Sequence, residues 1–333
     1  MKKNGIMIWI LLILGVMSFA IAPAQGKEAD NIRVARSSDS ATESAVWFGK
    51  EAGLYEKYGL SVELIRIRGS SAVVQTMLSG DIAVSQIGGS AVVDANLAGA
   101  DLTTVATIIR SFVFYLFSRP EIQRVEDLRG KAIGTSRFGA ISDFAGRFAL
   151  EKYGLQAEKD VTILQTGGPA ESVAALNGNR IQAVALTAPA TIQARKLGLR
   201  PLLDISKLEA NFPFNGVVVT RTYLKNNEDI VKRFMKGYIE GVVLAKKDPV
   251  FAKRVMAKYF RSDDKEVLEE SYEWIVKQNT SIPPYPATRG FATILQGIEK
   301  RNPKAKLAKP EDFVDSRIVR ELDESGFIKS LSQ

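Results

Sequence analysis

A five-residue block recurs in this chain. Glu56-Lys57-Tyr58-Gly59-Leu60 returns unchanged as Glu151-Lys152-Tyr153-Gly154-Leu155, 95 positions later (151 − 56). Leu78-Ser79-Gly80 is echoed by Leu176-Asn177-Gly178, 98 positions later (176 − 78). Each block marks a helix end, and Gly59 stands where the left-handed backbone that follows a last turn is wanted. Tyr-Gly-Leu is also a common local way to leave a helix and begin a strand. The nearly constant offset across two markers, however, predicts one supersecondary unit built twice.

Hydrophobic periodicity fills in the unit. Strands are predicted at 31–37, 60–67, 82–87, 102–109 and 112–118, with helices at 43–58, 70–79 and 90–98 between them. The order then repeats, with strands at 131–135, 160–165 and 182–186 and helices at 141–153, 170–176 and 191–197. One more strand, 214–220, precedes a helical tail at 229–246, 250–260, 267–277, 290–300 and 317–324. Asp248-Pro249 supplies an N-cap with proline at the first helical position. Strands alternating with short helices predict α/β architecture with mostly parallel sheets. If the tail packs back on the first unit, lobe 1 comprises 30–118 plus 214–333 and lobe 2 comprises 119–213. The chain then crosses near Ser118–Pro120 and near Asn211–Asn215.

The first residues have another purpose. Lys2 and Lys3 precede an apolar stretch, 6–22, which ends at Ala22-Pro23-Ala24. A basic start, an apolar core and a small-x-small ending predict a signal peptide, 1–24, cut after Ala24. At about 17 residues the stretch is short for a bilayer span, though an uncleaved anchor is the alternative. The expected protein is exported to the periplasm. Removing Lys2 and Lys3 takes the net charge from +8 to +6. The remaining basic residues are dispersed among acidic ones, which speaks for a solvated surface and against nucleic acid.

The chain contains no histidine and no cysteine. That excludes Ser–His–Asp triads, thiolate nucleophiles, disulfides and His- or Cys-ligated metals. An oxygen-only metal site or a carboxylate pair stays open. No cofactor motif is present: Gly134-x4-Gly139 is followed by Ala140 rather than Lys-Ser/Thr, so it is no phosphate-cradling loop.

Several motifs in order resemble a known family. These are 51–63 (EAGLYEKYGLSVE), Leu78-x-Gly80-Asp81-Ile82-Ala83, Val125-Glu126-Asp127-Leu128-Arg129-Gly130-Lys131, and Leu176-x-Gly178 with Gln182-Ala183-Val184 and Ala188-Pro189. The series resembles nitrate/sulfonate/taurine-type substrate-binding proteins of ABC importers. The resemblance implies the two-lobed type II periplasmic-binding-protein fold, each lobe a mixed, mostly parallel sheet flanked by helices. It further implies a small, anionic ligand in the inter-lobe cleft, a membrane permease with its ATPase as partner, and a monomer. The same fold includes a thiamine-pyrimidine-precursor synthase that consumes a histidine, and this chain has none to consume.

Ligands of open α/β sheets sit beyond the carboxyl ends of the strands, near helix N-termini. This points to Ser38 and Asp39, Gly69 and Ser70, and Gly89 and Ser90 in the first lobe. In the second it points to Ser136, Arg137, Gly139 and Thr187. Phe214 and Asn215 stand at the second crossing. Small residues let backbone N–H groups approach an anion, and hydroxyls add donors. Any one of them could equally be an ordinary cap or turn. Arg137 is the candidate charge partner of the anion, with a solvated surface role as its alternative. Trp47 has the spacing of a core residue more than a pocket one. A rival reading is an exported enzyme using Asp39 as acid or base, recognisable by a neighbouring ionisable group with a shifted pKa.

Overall fold

The computed structural model describes residues 29–208 and 211–331. The expected signal peptide and its cleavage after Ala24 lie outside the described residues. The chain begins with β1 (Asp30–Arg36), α1 (Ser44–Glu51), α2 (Leu54–Lys57), β2 (Leu60–Arg66), α3 (Ser70–Leu78), β3 (Val84–Ile87), α4 (Gly89–Leu97) and β4 (Leu102–Ile109). Next come β5 (Tyr115–Ser118), β6 (Ala132–Thr135), α5 (Ile141–Lys152), β7 (Thr162–Gln165), α6 (Pro169–Asn177), β8 (Ala183–Leu186), α7 (Ala190–Lys196) and β9 (Arg200–Asp204). After β10 (Asn215–Thr220) the chain is helical: α8 (Arg221–Asn226), α9 (Glu228–Lys247), α10 (Pro249–Phe260), α11 (Lys265–Ser271), α12 (Thr288–Ile298), α13 (Arg317–Glu324) and α14 (Phe327–Ser330). A π-helical stretch, Tyr272–Gln278, continues α11. No helix among the described residues is long and apolar enough to cross a membrane.

The strands form two five-stranded sheets, ordered β2-β1-β3-β10-β4 and β7-β6-β8-β5-β9. The sheets have one plan. In each, the first three strands are parallel and the fourth runs antiparallel between its neighbours. The repeated blocks fall at matching points: each five-residue block spans the end of the helical segment after β1 or β6, and each Leu-x-Gly ends the next helix. The architecture is thus duplicated, as the offset predicted.

Two strands differ from expectation. Residues 112–118 read as the last strand of the first lobe. Tyr115–Ser118 instead joins the second sheet, with Tyr115 opposite both Leu186 and Asp204. The chain therefore passes between sheets at 110–114, ahead of Ser118–Pro120. The other strand, β9, contains Pro201 and is absent from the expected set. It is an edge strand, where proline is tolerated. The helix expected over 43–58 is broken at Gly53, which is left-handed at φ 65°.

Packing fixes the lobes. Helix α9 crosses α1 so closely that a Cβ on Gly241 would lie 2.5 Å from the Gly49 nitrogen. Between the lobes, Phe112 and Phe212, one from each crossing, stack with ring centroids 3.8 Å apart. Phe144 and Phe148 of α5 extend the stack. Asp248 caps α10 by accepting from the Phe251 N–H at 2.9 Å, with Pro249 at the first turn.

Candidate ligand-binding site

The carboxyl ends of the parallel strands of both sheets converge on one cavity of about 360 Å³. Ser37 to Ser40 reach it after β1, Arg68 to Ser70 after β2, and Gly88 after β3. From the second lobe come Ser136 after β6, Gly167 and Gly168 after β7, and Thr187 after β8. The N-termini of α3, α5 and α6 open onto it. Gly69 makes one of these turns at φ +85°, and a Cβ there would meet the Arg137 Cδ at 3.0 Å.

The lobes touch beside the cavity. The Ser40 hydroxyl donates to the Ala188 carbonyl at 3.0 Å and lies 2.6 Å from the Thr187 hydroxyl. The Ala41 N–H donates to the same carbonyl at 3.0 Å. Elsewhere on the rim, Arg68 pairs with Glu171 at 2.7 Å, and Arg137 Nε donates to the Arg68 carbonyl at 2.9 Å. These contacts join the two walls beside the space.

Charge enters mainly from the first lobe. Arg36 and Arg66 both bind Asp39, at 2.5 and 2.6 Å. The Arg36 guanidinium also lies over the rings of Trp47 and Tyr259, 5.5 and 5.6 Å from their centroids. Those rings stack 4.4 Å apart, with Trp47 fully buried behind the cavity. Trp47 is therefore core, as its spacing predicted, while Tyr259 and Phe260 reach the lining.

Glu43 is a functional candidate that the sequence reading missed. It lines the cavity yet is 1% exposed, and only its Oε1 has a partner, the Ser37 hydroxyl at 2.8 Å. Burial pushes its carboxyl up from 4.5 to about 7, against the opposing pull of Ser37, Arg36 and Asn215. In the sequence it sat inside a predicted helix, as an ordinary polar residue. The alternation of Arg36, Arg66 and Arg68 at strand ends was likewise visible but carried no sign that they share a site.

Of the expected residues, Ser38, Asp39, Gly69, Ser70, Ser136, Thr187, Phe214 and Asn215 line the cavity. Gly89 instead donates its N–H to the Pro213 carbonyl at 2.9 Å. Ser90 is buried beside it, its hydroxyl unpartnered. The Gly139 N–H donates to Asp143 at 2.9 Å. Arg137 lies outside the lining and fastens the rim, so it does not present charge to the cavity as expected. A local motif marks a strand-to-helix turn but not which way its side chain leaves.

The geometry agrees with known proteins. YtlA of Bacillus subtilis (strain 168) is 22% identical over 80% of this chain and 82% of its own. The riboflavin-binding protein RibY of Chloroflexus aurantiacus is 26% identical over 53% of this chain and 51% of its own. The alkanesulfonate-binding protein SsuA of Xanthomonas axonopodis pv. citri, solved bound to MOPS, superposes with a TM-score of 0.71 at 19% identity. The match covers 86% of this chain and 96% of SsuA. That likeness establishes a periplasmic-binding-protein fold. The sequence model of the NMT1/THI5 like family matches residues 42–252, well over half of the chain, and the chain belongs to that family.

Proposed function

We propose that this protein is the extracytoplasmic receptor of an ABC importer. It captures a small, sulfonate-, nitrate- or taurine-like anion between its lobes and delivers it to a membrane permease, acting as a monomer and performing no covalent chemistry. The observation that carries this reading is the convergence of six strand ends, three from each lobe, on one cavity. Helix N-termini and Arg36, Arg66 and Arg68 supply positive charge there. The sulfonate ligand of SsuA, on the same fold, supports the ligand class.

Glu43 meets the criterion of a perturbed acid in a cleft, and so gives the enzymatic reading one specific support. The expected acid, Asp39, has its two oxygens held by two arginines.

A thermal-shift screen of nitrate, alkanesulfonates, taurine, pyrimidines and aromatic acids tests the proposal. At about 100 times its dissociation constant a true ligand adds roughly 2.7 kcal/mol. For a chain of this size that raises Tm by roughly 4–10 °C. The bound compound should be recovered unchanged. Its conversion to product with time, or the absence of any stabilising compound, would overturn the receptor reading.

A further inference from the structure

The cavity's polar atoms are unevenly satisfied. Asp39 is held by Arg36 and Arg66, and Glu171 by Arg68, so these charges arrive already paired. Four buried lining atoms lack a partner: Arg36 Nε, the Ser70 hydroxyl and two oxygens. Glu43 Oε2 and Asn215 Oδ1 have no hydrogen-bond partner, and their residues are 1% and 3% exposed. The Asn215 amide cannot be turned round to hide this. Its Nδ2 donates to the Thr42 carbonyl at 2.9 Å, and that carbonyl accepts only. Gln86 Nε2 donates to the same carbonyl at 2.8 Å from behind. The Asn215 oxygen is therefore an acceptor, and Glu43 beside it is a second.

With Glu43 ionised, two neighbouring buried acceptors lack donors, which is unfavourable. A hydroxyl on the ligand brings one proton and could satisfy only one of them. An amino group brings two or three. An ammonium would also hold Glu43 in its ionised form, compensating the burial that otherwise disfavours it.

We propose that Glu43 and Asn215 form a subsite for an amino group, so that the ligand carries a primary amine or an aminoheterocycle. The Ser70 hydroxyl, also buried and unpartnered on the lining, can supply or accept a further bond. This rests on the receptor reading and narrows its ligand. The charged and titratable neighbours of Glu43 are Arg36 on β1 and Tyr238 on α9.

Matched pairs differing by one amino group test it by calorimetry and thermal shift at pH 8. Suitable pairs are taurine and ethanesulfonate, 4-aminobenzoate and benzoate, and 4-aminopyrimidine and pyrimidine. At least one amino compound should bind tenfold or more tightly than its partner. In Glu43→Gln that preference should shrink to about twofold. Asn215→Leu should reduce the preference in the same direction, which covers a Glu43 variant that folds poorly. Equal or tighter binding of the des-amino members would overturn the subsite and leave the receptor standing. A preference that survives both substitutions would overturn it too. If no member of any pair binds, the amino-ligand class fails, and a hit elsewhere in the wider screen would still preserve the receptor.

Discussion

The two lobes share one strand order and contribute unlike chemistry to the cavity between them. The first lobe supplies Arg36, Asp39, Glu43, Arg66 and Arg68, with Asn215 and the Tyr259 ring. The second supplies Ser136, Ser142, Gly167, Gly168 and Thr187, and one charge, Glu171 at the rim. Duplication thus preserved the geometry of the strand ends and not the side chains placed on them. One wall is charged; the other is small and rich in hydroxyls. A parallel sheet fixes where a loop emerges, while the loop sequence is free to change.

The largest expected effect is at the junction where the walls meet. Phe112→Ala removes the centre of the four-ring stack and should cost about 3–5 kcal/mol. Guanidinium unfolding checks it. A loss under about 1 kcal/mol would show that the stack does not tie the lobes together. Two separated transitions in the variant would show that the lobes can unfold separately.

The next effect separates the charged wall from the polar one. Below pH 4.5 the Glu43 carboxyl is protonated whether the chain is folded or unfolded. Between 4.5 and about 7 only the folded chain keeps that proton, so this residue's contribution to stability falls as pH rises. Above about 7 the loss is complete, at roughly 3 kcal/mol. Ligand-free Glu43→Gln should therefore match the parent near pH 4 and exceed it by about 1–3 kcal/mol at pH 8. Urea melts at the two pH values decide it. A variant less stable at pH 8 would mean that Glu43 is ionised and well compensated.

The smallest effect concerns the outer fastenings. Arg195 of the second lobe pairs with Glu270 of the first, both side chains over 40% exposed. Arg195→Ala should change stability by at most about 1 kcal/mol, and less in high salt. A larger, salt-insensitive loss in thermal melts would make these rim pairs, rather than the aromatic junction, the main tie between the walls.

Much of this was legible locally. Gly59 and Gly154 end helices because a left-handed residue is needed there, and both have positive φ. The strands at 60–67 and 102–109 were plain from their apolar β-branched runs, and Asp248-Pro249 from its cap chemistry. Less was legible where a residue's role depends on a distant partner. Arg137 and Arg68 both stand at strand ends, yet Arg68 enters the cavity and Arg137 binds the Arg68 carbonyl. Glu43 resembled any surface glutamate of a helix start. Its burial comes from β10, more than 170 positions away, whose Asn215 binds the carbonyl of the adjoining Thr42.

The sequence by itself determined the alternation of strands and helices, their glycine and proline boundaries, and the doubling of the unit. These follow from side-chain periodicity and backbone sterics, which act within a few residues. Only the tertiary structure decided that Tyr115–Ser118 belongs to the second sheet, that four arginines and three carboxylates line one cavity, and that Glu43 is kept from water. Periodicity says which face of an element is buried and not against what. Ladder partners, desolvation and many ion pairs arise between residues tens of positions apart or more, and those encounters leave no mark in the local pattern.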